Sequence, residues 1–257
     1  MGILNVTPDS FSDGGLHFEP TSAIQRGLQM IEEGADLIDV GGESTRPGAG
    51  SVEASLELER TIQVVETLAK RGIPVSIDTR KPLVARAALD AGAFLVNDVS
   101  GLRDPEMLEL VEARKPTVCI MHMQGEPHTM QVQPAYEDVV SEVLNYLLKV
   151  AANLKLPQNT VWIDPGIGFG KTVEHNLTLI QHLDEFARTG YPVLVGVSRK
   201  GFIGKVLGSS TPEDRLEGTL ATQVVAQLRG ARIIRAHDVK EAAKAIVMTA
   251  AIMNGTA

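Results

Sequence analysis

Asp36-Leu37-Ile38-Asp39-Val40-Gly41-Gly42 is a short apolar run that breaks off around a carboxylate and ends on two glycines. A parallel strand buried on both faces reads as nearly continuous apolar sequence, so Asp39 near its C-terminal end must have a specific reason to be there. Gly34 precedes the run. After it, Leu58, Ile62, Val65 and Ala69 recur at helical spacing until Gly72 stops the pattern. A second run follows at once, Pro74 to Thr79 with Asp78, and the same unit then returns in steps of roughly thirty residues. Its other copies are Gly2 to Val6 with Asn5, Phe94 to Asp98 with Asn97, Thr117 to His122, Thr160 to Asp164, Pro192 to Ser198, and Ile233 to His237 with Arg235 and His237. Tyr136, Val140, Val143, Leu147, Val150 and Leu154 mark another helix, Gly92 is a further stop, and Asp238 with Glu241 reads as a capping box. The alternation predicts an α/β fold, a (β/α)8 TIM barrel, as a single domain over residues 1–257. Polar residues at strand ends then line the ligand mouth.

The length of 257 residues suits one such barrel, and no Pro/Ser-rich or charge-rich linker interrupts it. With 44% hydrophobic but only 4% aromatic residues, the core is expected to be aliphatic. A net charge of −8 argues against non-specific binding to nucleic acid or an anionic membrane. The lone Cys119 lies in an apolar strand, which fits a core residue and a reducing cytoplasm. We expect neither a membrane span, since no run of about 18 apolar residues occurs, nor a signal peptide.

Pro165 to Thr172 sits between a strand and a helix, as a phosphate-binding P-loop would, but the first glycine of that pattern is Pro165, and Asp164 would set a carboxylate beside the phosphates. A glycine-rich mouth loop that allows close approach is the better reading, with Lys171 decisive for the P-loop alternative. Gly41 to Gly48 contains Arg46, suited to bidentate contact with phosphate oxygens. Arg235 and His237 lie two apart on the last strand and so point to one face. Together with Arg46 they could hold an anion of two phosphates, on the strand where barrels often bind phosphate. Asp78, Asn97 and Asp164 suit a flat heterocycle with an amidine-like edge, because a carboxylate accepts two parallel N–H bonds and an amide both donates and accepts. A dedicated metal cage is not expected from them. Lys200, in Ser198-Arg199-Lys200, stands where a helix N-terminus disfavours a cation, which favours a ligand role. His122, between two methionines, reads as a satisfied barrel residue.

These pieces resemble the dihydropteroate synthase family over essentially the whole chain, most specifically at Gly2 to Gly15, Gly41 to Gly48, Asp164 to Lys171 and Ser198 to Lys200. The resemblance implies that 6-hydroxymethyl-7,8-dihydropterin pyrophosphate loses pyrophosphate to the amine of p-aminobenzoate, giving 7,8-dihydropteroate. It assigns Asp78, Asn97, Met121, Asp164 and Lys200 to the pterin, and Asn5, Thr45, Arg46, Arg235 and His237 to the pyrophosphate, with Asn5 also a ligand of Mg²⁺. It assigns Phe11, Pro47, Phe169 and Ser198 to p-aminobenzoate, and catalysis to Asp13, Arg46 and Lys200, Asp13 facing the pterin cation left as pyrophosphate departs. It further implies two mouth loops that close over substrate, a homodimer through the late helices, and a sulfonamide target. The family usually carries a short lead-in before its first strand, whereas Met1 here stands almost on that strand. Three alternatives remain at this level: a pterin-dependent methyltransferase, which needs no pyrophosphate cations; a non-catalytic pterin-binding module, which needs neither Asp13 nor Lys200; and a phosphotransferase depending on Lys171.

Overall fold

The computed structural model describes residues 1–7, 20–44, 50–126, 129–208 and 211–256. Phe11, Asp13, Thr45, Arg46 and Pro47 lie outside them. In chain order the elements are β1 (Gly2–Asn5), α1 (Pro20–Glu32), β2 (Ile38–Gly41), α2 (Ala54–Lys70), β3 (Val75–Asp78), α3 (Pro82–Asp90), β4 (Leu95–Asp98), α4 (Pro105–Arg114), β5 (Thr117–Met121), α5 (Val139–Asn153), β6 (Val161–Asp164), α6 (Val173–Gln181), α7 (Leu183–Ala187), β7 (Leu194–Val195), α8 (Gly201–Leu207), α9 (Leu216–Leu228), β8 (Ile233–Ile234) and α10 (Val239–Asn254). Every strand run read from the sequence coincides with one of these eight strands, β2 extending one residue beyond the run Asp36 to Val40, to Gly41.

Strands β1 to β6 pair in sequence order and all in parallel, and β7 pairs with β8. Two parallel bridges close the ring, Ile163 with Val193 and Gly2 with Ala236. The second is reinforced by Ile3 N donating to Ala236 O at 2.9 Å and Ala236 N donating to Met1 O at 3.0 Å. Closure leaves no open edge among the described strands to recruit another chain.

Residues paired across neighbouring strands share a face, so the register sorts the strand residues. The outward set, including Leu4, Ile38, Val40, Ile77, Val96, Ile120 and Ile163, merges with the buried faces of the helices into one aliphatic core. The inward set is unusual for a barrel interior, where branched apolar residues dominate. It carries Asp39, Ser76, Asp78, Asn97 and Asp164, all at least nine-tenths buried. Those polar groups set the location of the site.

Helix starts follow from local chemistry. The Asp104 side chain accepts from Glu106 N ahead of Pro105, Asp138 caps α5 through Val140 N and Ser141 N, and Thr172 and His175 cap α6 reciprocally. Gly34, Gly72 and Gly92 all take positive φ after helices, as read from the sequence. Three details differ from the sequence reading. In α2 the buried seam is Glu57, Thr61, Val64, Val65 and Leu68, while Leu58, Ile62 and Ala69 are only half-buried, a rotation that spacing alone could not fix. Tyr136 precedes α5 rather than belonging to it. Asp238 makes no capping bond to α10, because its carboxylate is taken by the Arg199 guanidinium, 3.0 Å from Nε.

Candidate functional site

The C-terminal ends of the strands converge on a lattice of buried charges. Arg235, directly after β8, reaches across the mouth, its Nε 2.6 Å from Asp39 Oδ2 and its Nη2 2.7 Å from Asp78 Oδ2. Asn97 Nδ2 donates to the same Asp39 oxygen at 3.1 Å. One cation thereby organises polar residues of β2, β3 and β4. The guanidinium points inward as predicted, but two carboxylates already hold it. Its acidity is pushed further from the working range by its neighbours, since attraction to Asp39 and Asp78 outweighs the opposing effect of its burial.

Asp78 shows the opposite tendency. Burial raises its pKa to about 7, above the usual carboxylate range, and repulsion from Asp39, Glu57 and Asp98 adds to this while Arg235 opposes it. Asp164 is also raised by burial, against the hydrogen bond that its Oδ1 accepts from Gly166 N at 2.7 Å and the attraction of Lys200 and Lys171. Asp39 Oδ1 and Asp78 Oδ1 are buried without a hydrogen-bond partner. A buried carboxylate oxygen without a donor is costly, and Asp78 Oδ1 at the mouth suits a ligand that brings N–H groups.

The opposite half of the mouth is made of loops. After β6, Gly166 and Gly168 adopt φ of +69° and +82°, and a Cβ on Gly166 would lie 1.9 Å from the carbonyl oxygen of His122. The close approach anticipated for this loop is therefore to the chain itself. Phe169 joins Val99, Met121, Met123 and Met130 in an apolar cluster, and Lys200 Nζ stands 3.9 Å above its ring. Ser198 Oγ accepts from His237 N at 3.1 Å and lies 3.0 Å from His237 Nδ1, tying the β7 loop to β8. Arg199, between Ser198 and Lys200, has φ of 59°, rare outside glycine. That turn is held by Arg199 N donating to Thr219 Oγ1 at 3.1 Å and by the pairing with Asp238.

The fold thus brings Asp78, Asn97, Met121, Asp164, Phe169, Ser198, Lys200, Arg235 and His237 to one end of the barrel, with Asn5 half-buried at the end of β1 opposite Gly41. Lys171 does not stand free for a phosphate: it is 3% exposed and its Nζ is bonded to Phe169 O, His122 O and His122 Nδ1. His122 is buried and packs against the Tyr136 and Tyr146 rings, as the structural reading of it anticipated. Asp39 was visible as an anomaly in its strand but was not counted as a site residue. The signal for it was its position two residues before Gly41, on the same inward face. A second missed network joins Lys81 to both Glu43 and Glu57, with Glu43 Oε2 also accepting from Val52 N at 2.9 Å. Burial raises the Glu43 carboxyl, but the Lys81 hydrogen bond and charge bring it below its usual range.

The pterin binding enzyme family matches residues 1–237. The dihydropteroate synthase of Escherichia coli strain K12 is 46% identical over 258 aligned positions, covering 99% of this chain and 91% of that protein. Among solved structures, Yersinia pestis dihydropteroate synthase with a sulfonamide drug complex superposes with a TM-score of 0.92 at 42% identity, covering 99% of this chain and 93% of that one. The Xanthomonas albilineans enzyme in complex with 7,8-dihydropteroate gives 0.88 at 41% identity, covering 98% and 92%.

Proposed function

The chain belongs to the dihydropteroate synthase family of pterin-binding enzymes and is a transferase of folate biosynthesis, and on that premise we propose how its residues divide the work. Asp78, Asn97 and Asp164 read the edge of the dihydropterin, Met121 lines its face, and Lys200 covers it from the β7 turn. Arg235 and His237, with Asn5, Thr45 and Arg46, hold the pyrophosphate. Phe169 and Ser198, with Phe11 and Pro47, receive p-aminobenzoate. The observation that carries this division is the buried Asp78 oxygen left without a donor beside Asn97 and Arg235.

Mg²⁺ fits as an ion brought with the pyrophosphate. Among the described residues no group of three or more His, Cys, Asp or Glu is arranged to hold a metal, and Asn5 offers a single amide oxygen. Such sparse protein ligation suits Mg²⁺, which keeps waters and takes substrate phosphate oxygens. When bound, it would neutralise charge developing on the leaving pyrophosphate.

In the reaction the C–O bond to the pyrophosphate breaks, the pterin methylene becomes cationic, and the aryl amine donates its lone pair to that carbon and then loses a proton. Arg235 and Arg46 stabilise the leaving anion, and Asp13 the cation. An aryl amine is already neutral near pH 7, so no strong base is required. Arg235, with His237 beside it, favours this over methyl transfer: its Nε and Nη2 meet Asp39 and Asp78, and a substrate anion would engage its remaining N–H groups.

The homodimer rests on a stripe of exposed apolar residues along the packed pair α9 and α10: Val225, Leu228, Val247, Met248, Ile252 and Met253. Sedimentation of a Val247→Glu, Ile252→Glu variant as a monomer would support it, and an unchanged mass would reject it. A reducing cytoplasm is supported by buried Cys119, and no described helix is long and apolar enough to cross a membrane.

The deciding experiment follows pyrophosphate release from the dihydropterin pyrophosphate with and without p-aminobenzoate, and with Mg²⁺ chelated. We expect Mg²⁺-dependent release and dihydropteroate formation. Binding of the pterin with no release under any condition would reduce the protein to a pterin-binding module.

A further inference from the structure

Lys171 closes the glycine-rich loop after β6, yet its ammonium faces inward. Nζ lies 3.0 Å from Phe169 O, 3.3 Å from His122 O and 3.2 Å from His122 Nδ1. An ammonium has three N–H groups and here meets three acceptors on two loops. The loops touch at the same place, since His122 O is the atom that a Cβ on Gly166 would strike. Tyr136 completes the joint, with its hydroxyl donating to Gly170 O at 2.8 Å and its ring 6.0 Å from Nζ. Phe169 is thus held by its carbonyl through Lys171 and by its N–H through Gly166 O at 3.0 Å.

We infer that Lys171 is a positioning residue for the aryl-amine site, clamping the loop after β5 to the loop after β6 so that the Phe169 ring is fixed in the slot for p-aminobenzoate. The inference rests on the proposed role of Phe169. Lys200 touches the same ring, but its own position is held separately by the Arg199 turn, so loss of the clamp falls first on Phe169 and the aryl-amine slot.

The clamp is sensitive to protons. Burial lowers Lys171 to about 7, against the attraction of Asp164 and with repulsion from Lys200. His122 is lowered to about 3 by burial and by Lys171 and Arg103, so it stays neutral and its Nδ1 can accept. Tyr136, raised to about 12 by burial and Glu142, and His175 against its ring complete the titratable surroundings. Deprotonated Lys171 has two N–H groups for three acceptors, so the clamp weakens as pH rises.

The test is steady-state kinetics with each substrate varied, on wild type, Lys171→Met and Lys171→Gln. We expect the KM for p-aminobenzoate to rise about tenfold in the Met variant, while the KM for the dihydropterin pyrophosphate changes less than about twofold. Gln keeps two N–H groups and recovers part of the loss. In wild type the KM for p-aminobenzoate should rise from about pH 6 to about pH 8.5, where that acid is ionised throughout, and both variants should lose this dependence. If the Met variant fails to fold, Gln and the wild-type pH profile carry the test. An unmoved KM for p-aminobenzoate, or two KM values rising together with a fall in melting temperature, overturns the inference. Wild-type protein that makes no dihydropteroate overturns the assigned function and, with it, the inference; turnover with unaffected variants overturns the inference alone.

Discussion

The two halves of the barrel mouth are built by different means. On the β2 to β4 side the polar groups Asp39, Asp78 and Asn97 stand on strands, and one guanidinium ties them together, holding one oxygen each of Asp39 and Asp78 directly and Asn97 through Asp39. On the β6 to β8 side Phe169, Ser198 and Lys200 stand on turns that need positive φ at Gly166, Gly168 and Arg199. The first half gains its geometry from the sheet and bears the cost of buried charge. The second also buries charge, at Asp164 and Lys171, and must in addition hold strained turns in place, through Lys171, Thr219 and Asp238. A rigid half that reads a flat ring and a loop-built half that admits a second substrate would follow from that division.

The largest effect should come from breaking the strand half. Arg235→Ala leaves Asp39 and Asp78 buried without a counter-charge, and removing one partner of a buried pair costs about 3–5 kcal/mol. The pH dependence has a definite sign. Asp78 is already raised by burial, and loss of Arg235 raises it further. A folded state that holds a proton the unfolded chain has released becomes less stable as pH rises between the two acid constants. The deficit of the variant in chemical denaturation should therefore grow from acid to neutral pH. A constant deficit would show that Arg235 acts through packing alone.

An intermediate effect separates crowding from strain in the loop half. Gly166 and Gly72 have similar φ, +69° and +76°, but a Cβ on Gly72 meets nothing within 4 Å whereas one on Gly166 strikes His122 O. Gly72→Ala should cost only about 1–2 kcal/mol for the left-handed conformation and leave kinetics untouched. Gly166→Ala adds overpacking of about 1–3 kcal/mol and should raise the KM for p-aminobenzoate. Equal losses of stability in the two variants would mean that the loops separate freely.

What the sequence made legible follows the same division. Strand runs, their polar ends and the glycine stops are local or periodic signals, and they located all eight strands and most of the mouth. Partnership was not legible. Arg235 reads as a cation awaiting phosphate, because nothing local indicates that Asp39 and Asp78, 196 and 157 residues away, already hold it. For Lys171 the sequence offers only a P-loop role, which Pro165 and Asp164 already disfavour, and no positive one, because its acceptor His122 lies 49 residues earlier. The α2 seam slipped because residues such as Glu57 and Thr61 are buried by what they meet, Lys81 and the chain at Gly42, rather than by hydropathy.

The smallest effect concerns Asp238, where sequence and structure disagree. As a helix cap it would contribute to α10 independently of Arg199; as the anchor of the Arg199 turn, its contribution depends on that arginine. Its partner side chain is about a third exposed, so the pair is expected to couple by less than about 1 kcal/mol. A double-mutant cycle of Arg199→Ala and Asp238→Ala, read by denaturation, measures that term directly. We expect a small but resolvable coupling, and a KM for the dihydropterin pyrophosphate that rises to a similar extent in both single variants, because either one frees the turn that carries Lys200. Strict additivity, with kinetics disturbed only by Arg199→Ala, would return Asp238 to the helix and leave the strained turn to Thr219 and Arg215, the latter donating to Arg199 O at 2.9 Å.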